Sequence, residues 1–424
     1  MLRRDFLNSL GLGASMVALK PDALSSISKA STQINHLSPD EAARDEDFWF
    51  QVRHAFTIDR NQINLNSGSV SPAPRVVQEA MKQYLSIVHM SPSLWVDEML
   101  IPQQEMLRKR LAGMFGCDPE EMAITRNTSE ALQIIQLGLN LKAGDEVLTT
   151  TQDYPRMLTT WRQRERRDGI VLKTFPFPSP PDNLDVLYRL FEEAITPKTR
   201  VIHFSHITYT AGQIFPVKKL CELARERGIY SMVDGAHAFA HFPFKYEDLG
   251  CDFYGTSLHK WLTAPFGTGF LYVRKPLIPD VWPLMAAPPS LDDNIRKFEQ
   301  IGTHPVSNKN AIGEAITFHE SIGAERKAAR LRYLRNCWMD QVAAHPKVKL
   351  MTSQDEAQSC AIGTMQIAGL GAQALTEQLE QQFRIHVRPR FVDGEWEGIR
   401  VTPNVFTTLE EIDLFSSAIM QIAG

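Results

Sequence analysis

Lys260 stands in the string Ser257-Leu258-His259-Lys260-Trp261, downstream of Val233-Asp234-Gly235-Ala236-His237. A lysine amine relieved of its proton forms imines with carbonyl compounds, and a carboxylate nearby can hold a heteroaromatic nitrogen in its protonated form. The apolar run 229–233 (Ile-Tyr-Ser-Met-Val) reads as a buried strand whose carboxyl end delivers Asp234. Ser257 and His259 flank the lysine with donors suited to a phosphate. Each residue alone has a plainer explanation, since a lone lysine is usually a solvated surface charge and an Asp after a strand is often a turn former. The order of the parts separates the two readings.

Upstream, Met122-Ala123-Ile124-Thr125 reads as a strand, and Arg126-Asn127-Thr128-Ser129-Glu130 opens an amphipathic run through Ala131, Leu132, Ile134, Ile135 and Leu137. A helix that begins at Thr128 or Ser129 presents free backbone amides and a positive dipole end, which together form a phosphate site. An ordinary cap made by Asn127 or Thr128 is the alternative. An imine-forming amine, a carboxylate and a phosphate cradle are what pyridoxal phosphate requires, with Lys260 for the Schiff base and Asp234 for the pyridine nitrogen.

At seven places in consistent order the chain resembles the class V aminotransferase group of pyridoxal-phosphate enzymes, which includes cysteine desulfurases and isopenicillin N epimerase-like proteins. The strings are Asn64-Leu65-Asn66-Ser67-Gly68-Ser69, Asn127-Thr128-Ser129-Glu130-Ala131, Ser205-His206 leading to Gly212, Asp234-Gly235-Ala236-His237, Ser257-Leu258-His259-Lys260, Gly302-Thr303 and Ile399-Arg400-Val401-Thr402. The resemblance implies that Lys260 forms the imine and carries the proton, and that Asp234 binds the pyridine nitrogen. His237, where many desulfurases have Gln, would lie near the ring hydroxyl. Thr128, Ser129, Ser257 and His259 would hold the phosphate, and Thr303 would reach the phosphate of a partner subunit, which requires a homodimer.

Tyr154 falls where desulfurases place a His over the ring, and an aromatic face stacked there is worth about 0.5–1.5 kcal/mol. Closing a turn ahead of Pro155 is its plainer role. Arg400, with Asn66, would bind the substrate, because a guanidinium fork takes an α-carboxylate through two parallel hydrogen bonds. A surface salt bridge is the alternative for Arg400.

The departures from the family are equally informative. A cysteine desulfurase presents a nucleophilic Cys on a loop before the C-terminal Arg, whereas residues 385–392 here read Ile-His-Val-Arg-Pro-Arg-Phe-Val. Cys360 lies well upstream. Desulfurase chemistry is therefore not expected, which leaves transamination or deamination, epimerisation, or β-elimination of the C–S lyase type, on an amino acid or an amino-acid-derived peptide or siderophore. Thr208 and Tyr209 stand where desulfurases carry Ser-Asn, so an amide near the ring hydroxyl is lost. Arg388 and Arg390 either aim extra positive charge at a second carboxylate or are solvated.

Arg3-Arg4-Asp5-Phe6-Leu7 is a twin-arginine pattern, followed by a mildly apolar stretch over residues 10–19 and a polar region in which Ser28 and Ala30 surround a cleavage point. The stretch is shorter than the roughly 18 apolar residues of a membrane span. The expectation is an export signal over residues 1–30, read by the twin-arginine translocation machinery, and a periplasmic mature enzyme with no membrane segment. Gly11, Gly13 and Lys20-Pro21 interrupt the alternative, an amphipathic N-terminal helix. The combination is similar to that of the periplasmic pyridoxal enzymes of siderophore (pyoverdine) maturation, which alter the amino group of a glutamyl residue.

With 424 residues, 43% of them hydrophobic, and a formal charge of −4, the chain can bury a large core in roughly two domains. No basic block points to nucleic acid, and Arg162, Arg164, Arg166 and Arg167, interleaved with acids, read as the solvated face of a helix. Five cysteines without paired spacing are expected to be mostly free, buried thiols. Alternating strands and helices from residue 121 to 273 predict an α/β fold with a mainly parallel sheet covered on both faces. The resemblance sharpens this to fold type I of pyridoxal enzymes, with a smaller α+β domain.

The expected organisation is a leader at 1–30, a segment joining the small domain at 31–62, a large cofactor-binding domain at 63–300, and a connecting helix with the small domain at 301–424. One long helical pattern covers 311–344, and Thr408 with Glu411 forms a capping box. Two other classes remain: a metal-dependent hydrolase built on His203, His206, His237 and His241, and a catalytically silent scaffold. The first lacks a carboxylate that completes a metal motif, and the second has no physical reason to keep Asp234, Lys260 and Arg400 together.

Overall fold

The computed structural model describes residues 22–424. After a short strand β1 (Ile63–Asn64) come β2 (Met122–Thr125), β3 (Glu146–Thr150), β4 (Val171–Phe175), β5 (Thr199–Ser205), β6 (Tyr230–Asp234), β7 (Phe253–Ser257) and β8 (Gly269–Val273). The last seven form one sheet in the order β2-β8-β7-β6-β5-β3-β4. The pairings from β7 to β4 are parallel, and β8 runs antiparallel to both its neighbours.

The period-2 pleat divides the strand side chains between two cores. Ile124, Leu148, Ile202, Phe204, Val233, Tyr254 and Phe270 face one side, and Ala123, Val147, Val201, Met232, Phe253 and Leu271 face the other. Both faces are covered, so the inner strands carry buried apolar residues on both sides of the sheet. The helices Pro155–Asp168, Leu184–Ala194 and Val217–Glu226 supply the crossovers. In the last of these Val217, Leu220, Cys221, Leu223 and Ala224 form the buried stripe.

A second, antiparallel sheet contains β9 (Val348–Leu350), β10 (Gly363–Ile367), β12 (Arg388–Val392) and β13 (Trp396–Val401), in the order β12-β13-β10-β9. Helices Ala324–Ala343, Ala372–Phe383 and Leu409–Ala423 cover it through Trp338, Leu375, Leu379, Ile412 and Phe415. Strand β1 pairs in parallel with β11 (Ile385–His386) as a separate two-stranded sheet, and a bridge between Asn66 and Thr402 ties the Asn64–Ser69 string to the end of β13. The helix Leu409–Ala423 opens on the expected capping box between Thr408 and Glu411.

The strand that delivers Asp234 spans Tyr230–Asp234. Two expectations need correction. The single helix over 311–344 is divided at Gly323, whose φ of 92° and ψ of 132° end Ile312–Ile322 before Ala324–Ala343 begins. The arginine cluster is not all solvated: Arg164 is buried and donates to the carbonyls of Gln136 (2.5 Å) and Leu139 (3.0 Å).

The twin-arginine string lies outside the described residues. Helix Asp22–Gln33 spans the expected cleavage region and contributes Ile27 to the core, and the Ser31 hydroxyl donates to the Ser321 carbonyl at 2.6 Å. Among the described residues no helix is long and apolar enough to cross a membrane.

Candidate active site

The carboxyl ends of β2, β5, β6 and β7 open into a cavity of about 960 Å³, the crevice position in which open α/β sheets bind ligands. Helix Thr128–Gly138 begins at its wall, with Asn127 as N-cap accepting from the Glu130 amide at 2.9 Å. Asn127 therefore caps the helix, and Thr128 and Ser129 of its first turn line the cavity. The Thr128 amide donates to Ser257 Oγ at 2.9 Å, and the two hydroxyls lie 2.7 Å apart. These groups converge from β2 and β7 at one positive helix end, an arrangement that takes a phosphate.

Asp234 ends β6 and is buried, its Oδ1 accepting from the Ala236 amide at 2.9 Å. The intervening Gly235 is required because a Cβ there would meet the Tyr254 ring at 2.0 Å. Burial lifts the Asp234 carboxyl to about 6, while the Ala236 amide and Lys260 pull it down. Lys260, on the turn after β7, places Nζ 3.2 Å from His237 Nε2. Its amine is lowered to about 7 by burial, with Arg400 and Arg390 adding to the effect and Asp234 opposing it.

The turn that carries Lys260 is pinned from behind. The Trp261 ring stacks on His241 at 3.7 Å and 7°, and His241 Nδ1 lies 2.7 Å from the His237 carbonyl. Lys327 donates to the Trp261 carbonyl. The Ala361 amide donates to His241 Nε2 at 2.9 Å.

Arg400, on β13, is only 1% exposed. Its guanidinium donates to the Tyr209 carbonyl at 2.9 Å, Asn66 Oδ1 at 3.1 Å and Ser69 Oγ at 2.9 Å. Asn66 therefore orients Arg400, and it reaches the site through the β1–β11 pairing. Tyr154 lines the cavity and precedes Pro155 at a helix start, the plainer of its two roles. Its ring meets Tyr209 edge-on at 5.4 Å.

Ser129 and His259 line the same cavity, whereas Thr303 is exposed and lies outside it. The histidines of the metal reading are separately engaged: Trp161 Nε1 donates to His203 Nδ1 at 3.0 Å, and His206 faces the Tyr254 hydroxyl at 3.4 Å. Among the described residues no group of three or more His, Cys, Asp or Glu stands close enough to hold a metal ion.

Sequence reasoning missed Ser69, Asp153 and Lys327. Asp153 accepts from Thr149 Oγ1 (2.7 Å), Thr150 Oγ1 (2.7 Å) and Ser205 Oγ (2.8 Å), and its charge adds to the rise at Asp234. The only sequence signal was a run of threonines before an acid at a strand end.

The class-V aminotransferase family description matches residues 63–395, and the chain belongs to this family of enzymes. It is 31% identical over 398 residues to isopenicillin N epimerase of Streptomyces clavuligerus, covering 89% of this chain and 98% of that one. It is 25% identical over 397 residues to a probable cysteine desulfurase of Synechocystis sp., covering 86% and 93%. Among solved structures, the apo cysteine desulfurase of Thermococcus onnurineus NA1 superposes with a TM-score of 0.77 at 22% identity, covering 89% and 98%. The cystine C-S lyase C-DES in complex with cysteine persulfide gives 0.76 at 23%, covering 86% and 98%.

The fold is fold type I, and the cofactor is pyridoxal phosphate. The residues present fit it. The Thr128–Ser257 cradle suits its phosphate and Asp234 its ring nitrogen, and the buried Nδ1 atoms of His237 and His259 have no hydrogen-bond partner among the described residues.

Proposed function

We propose that this enzyme acts on the amino group or the α-carbon of an amino acid, or of an amino-acid-derived peptide or siderophore, by transamination, deamination or epimerisation and not by cysteine desulfuration. The supporting observation is Lys260 at the cavity floor, its amine lowered to about 7, in a cavity also lined by Asp234, His237 and Arg400. Bound pyridoxal phosphate supplies an aldehyde for imine formation and an electron sink. Arg400 takes the substrate's α-carboxylate in a two-pronged contact and so sets which bond at the α-carbon faces Lys260. An amine with a pKa near neutrality can both remove and return the α-proton.

The cavity lining contains no cysteine, and Cys360 is fully buried away from it, which supports setting desulfuration aside. Reductive trapping with borohydride followed by mass analysis tests the assignment, and an adduct on any residue other than Lys260 overturns it. Spectral screening with L- and D-amino acids and glutamyl peptides, scored for keto-acid release against solvent-deuterium exchange at the α-carbon, separates transamination or deamination from epimerisation.

We further propose a homodimer, in which Thr303 completes the partner's phosphate site, and export to the periplasm by the twin-arginine machinery. Arg3-Arg4 with the stretch after it supports the export reading. Failure of residues 1–30 to carry a reporter across the membrane, or no dependence on Arg3 and Arg4, overturns it.

A further inference from the structure

We propose that Arg388 and Arg390 form a second anion-binding subsite beside Arg400, which takes a carboxylate on the substrate's side chain. This deepens the reading of the cavity as an amino-acid site and rests on it.

The register of the small sheet carries the inference. Arg388 lies directly across from Arg400 in the β12–β13 pairing, and Arg390 follows two residues later on the same pleat. Side chains directly opposite have Cβ atoms about 4.5–5.5 Å apart, and diagonal ones about 7–8 Å. All three arginines line the one cavity, together with Gln373 and Tyr209.

Like charges opposed across a sheet are destabilising unless something compensates them. The nearby acids are engaged elsewhere: Glu395 accepts from Thr151 and Gln152, Glu397 from the Ala372 amide, Glu377 from Gln373, and Glu380 faces His386 at 3.6 Å. Arg390 instead lies over the Tyr209 ring at 5.1 Å, and its Nε, like that of Arg400, is buried without a hydrogen-bond partner. Among the described residues no acid pairs with Arg388 or Arg390, and a fork-shaped cation that lines a ligand cavity in this state is matched by a planar carboxylate. Arg400 takes the α-carboxylate, and one step along the pleat the Arg388–Arg390 pair is placed for a second acid group on the same molecule.

The test uses the full cofactor-loaded enzyme and two probes without an amine, glutarate and its monoamide glutaramate, titrated calorimetrically. Neither probe can react at Lys260, so the outcome is independent of imine chemistry. Failure of that chemistry would show separately, as no amino acid perturbing the cofactor spectrum.

Glutarate is expected to bind at least roughly tenfold more tightly than glutaramate, with the preference reduced by salt. In Arg388→Gln/Arg390→Gln the preference disappears while glutaramate binding stays within about twofold. The exposed single variant Arg388→Gln, which disturbs no buried contact, loses part of it. Equal binding of the two probes by the wild type, or a preference that survives in the double variant, overturns the subsite.

Discussion

His237 Nε2 lies 3.2 Å from the Lys260 amine; burial keeps the imidazole neutral and lowers the amine to about 7. In the cofactor-free protein the reactive amine should therefore lose its proton through about pH 7 instead of 10.5. The rate of reconstitution with pyridoxal phosphate, followed by the absorbance of the bound cofactor, should rise with pH through that region. Because Asp234 raises the Lys260 pKa, Asp234→Asn shifts the profile to lower pH; Arg400→Gln shifts it to higher pH.

Lys260→Ala should lower turnover by at least roughly 10³-fold and abolish the borohydride adduct, because a positioned proton carrier alone is worth roughly 10²–10⁴-fold. Asp234→Ala should cost nearly as much while the cofactor remains held through the Thr128–Ser257 cradle. Steady-state rates on the fully loaded variants decide this, and near-normal turnover of Asp234→Ala contradicts the role of the ring nitrogen.

Arg400→Lys keeps the charge and loses the fork, so KM for an amino-acid substrate should rise by roughly tenfold or more. Asn66→Ala removes one of the three acceptors that orient Arg400 and should give a smaller rise, with kcat moving little. A fall in kcat at unchanged KM would place Asn66 in the chemistry instead.

Lys327 is buried without a carboxylate partner among the described residues, its amine 3.5 Å from His319 Nδ1, and burial lowers its pKa from 10.5 to about 7. Between those values the unfolded chain holds a proton that the folded chain lacks, so this lysine makes stability rise with pH across the window. Comparing the melting temperatures of wild type and Lys327→Met, both cofactor-loaded, should give a difference that turns against the variant as pH rises from 7 to 10. A constant offset contradicts the account.

Thr303 sits outside its own protomer's cavity, so in the proposed dimer Thr303→Ala should weaken cofactor binding by about tenfold, the loss of one hydrogen bond to a charged group. Mixed dimers of Thr303→Ala and Lys260→Ala chains should recover one fully competent site, measured by cofactor stoichiometry and turnover. No recovery contradicts a site shared between subunits.

Sequence by itself determined the period-2 apolar strands, the helix start at Thr128, the strand-end carboxylate Asp234 and the lysine turn after β7, because each is set by local pattern and short-range sterics. The capping box at Thr408 was legible for the same reason. Tertiary structure decided what depends on distant chain segments meeting. The β1–β11 pairing brings Asn66 and Ser69 to Arg400, the β12–β13 register sets three arginines on one face, and Lys327 reaches the carbonyl beside Lys260 across 66 residues. No local pattern encodes those contacts: Asn66 and Arg400 are separated by 334 residues and Lys327 and Trp261 by 66, and a one-residue slip in the β12–β13 register would turn Arg388 and Arg390 to the other face. For the same reason the burial of Arg164 and the break at Gly323 became visible only once neighbouring elements were in place.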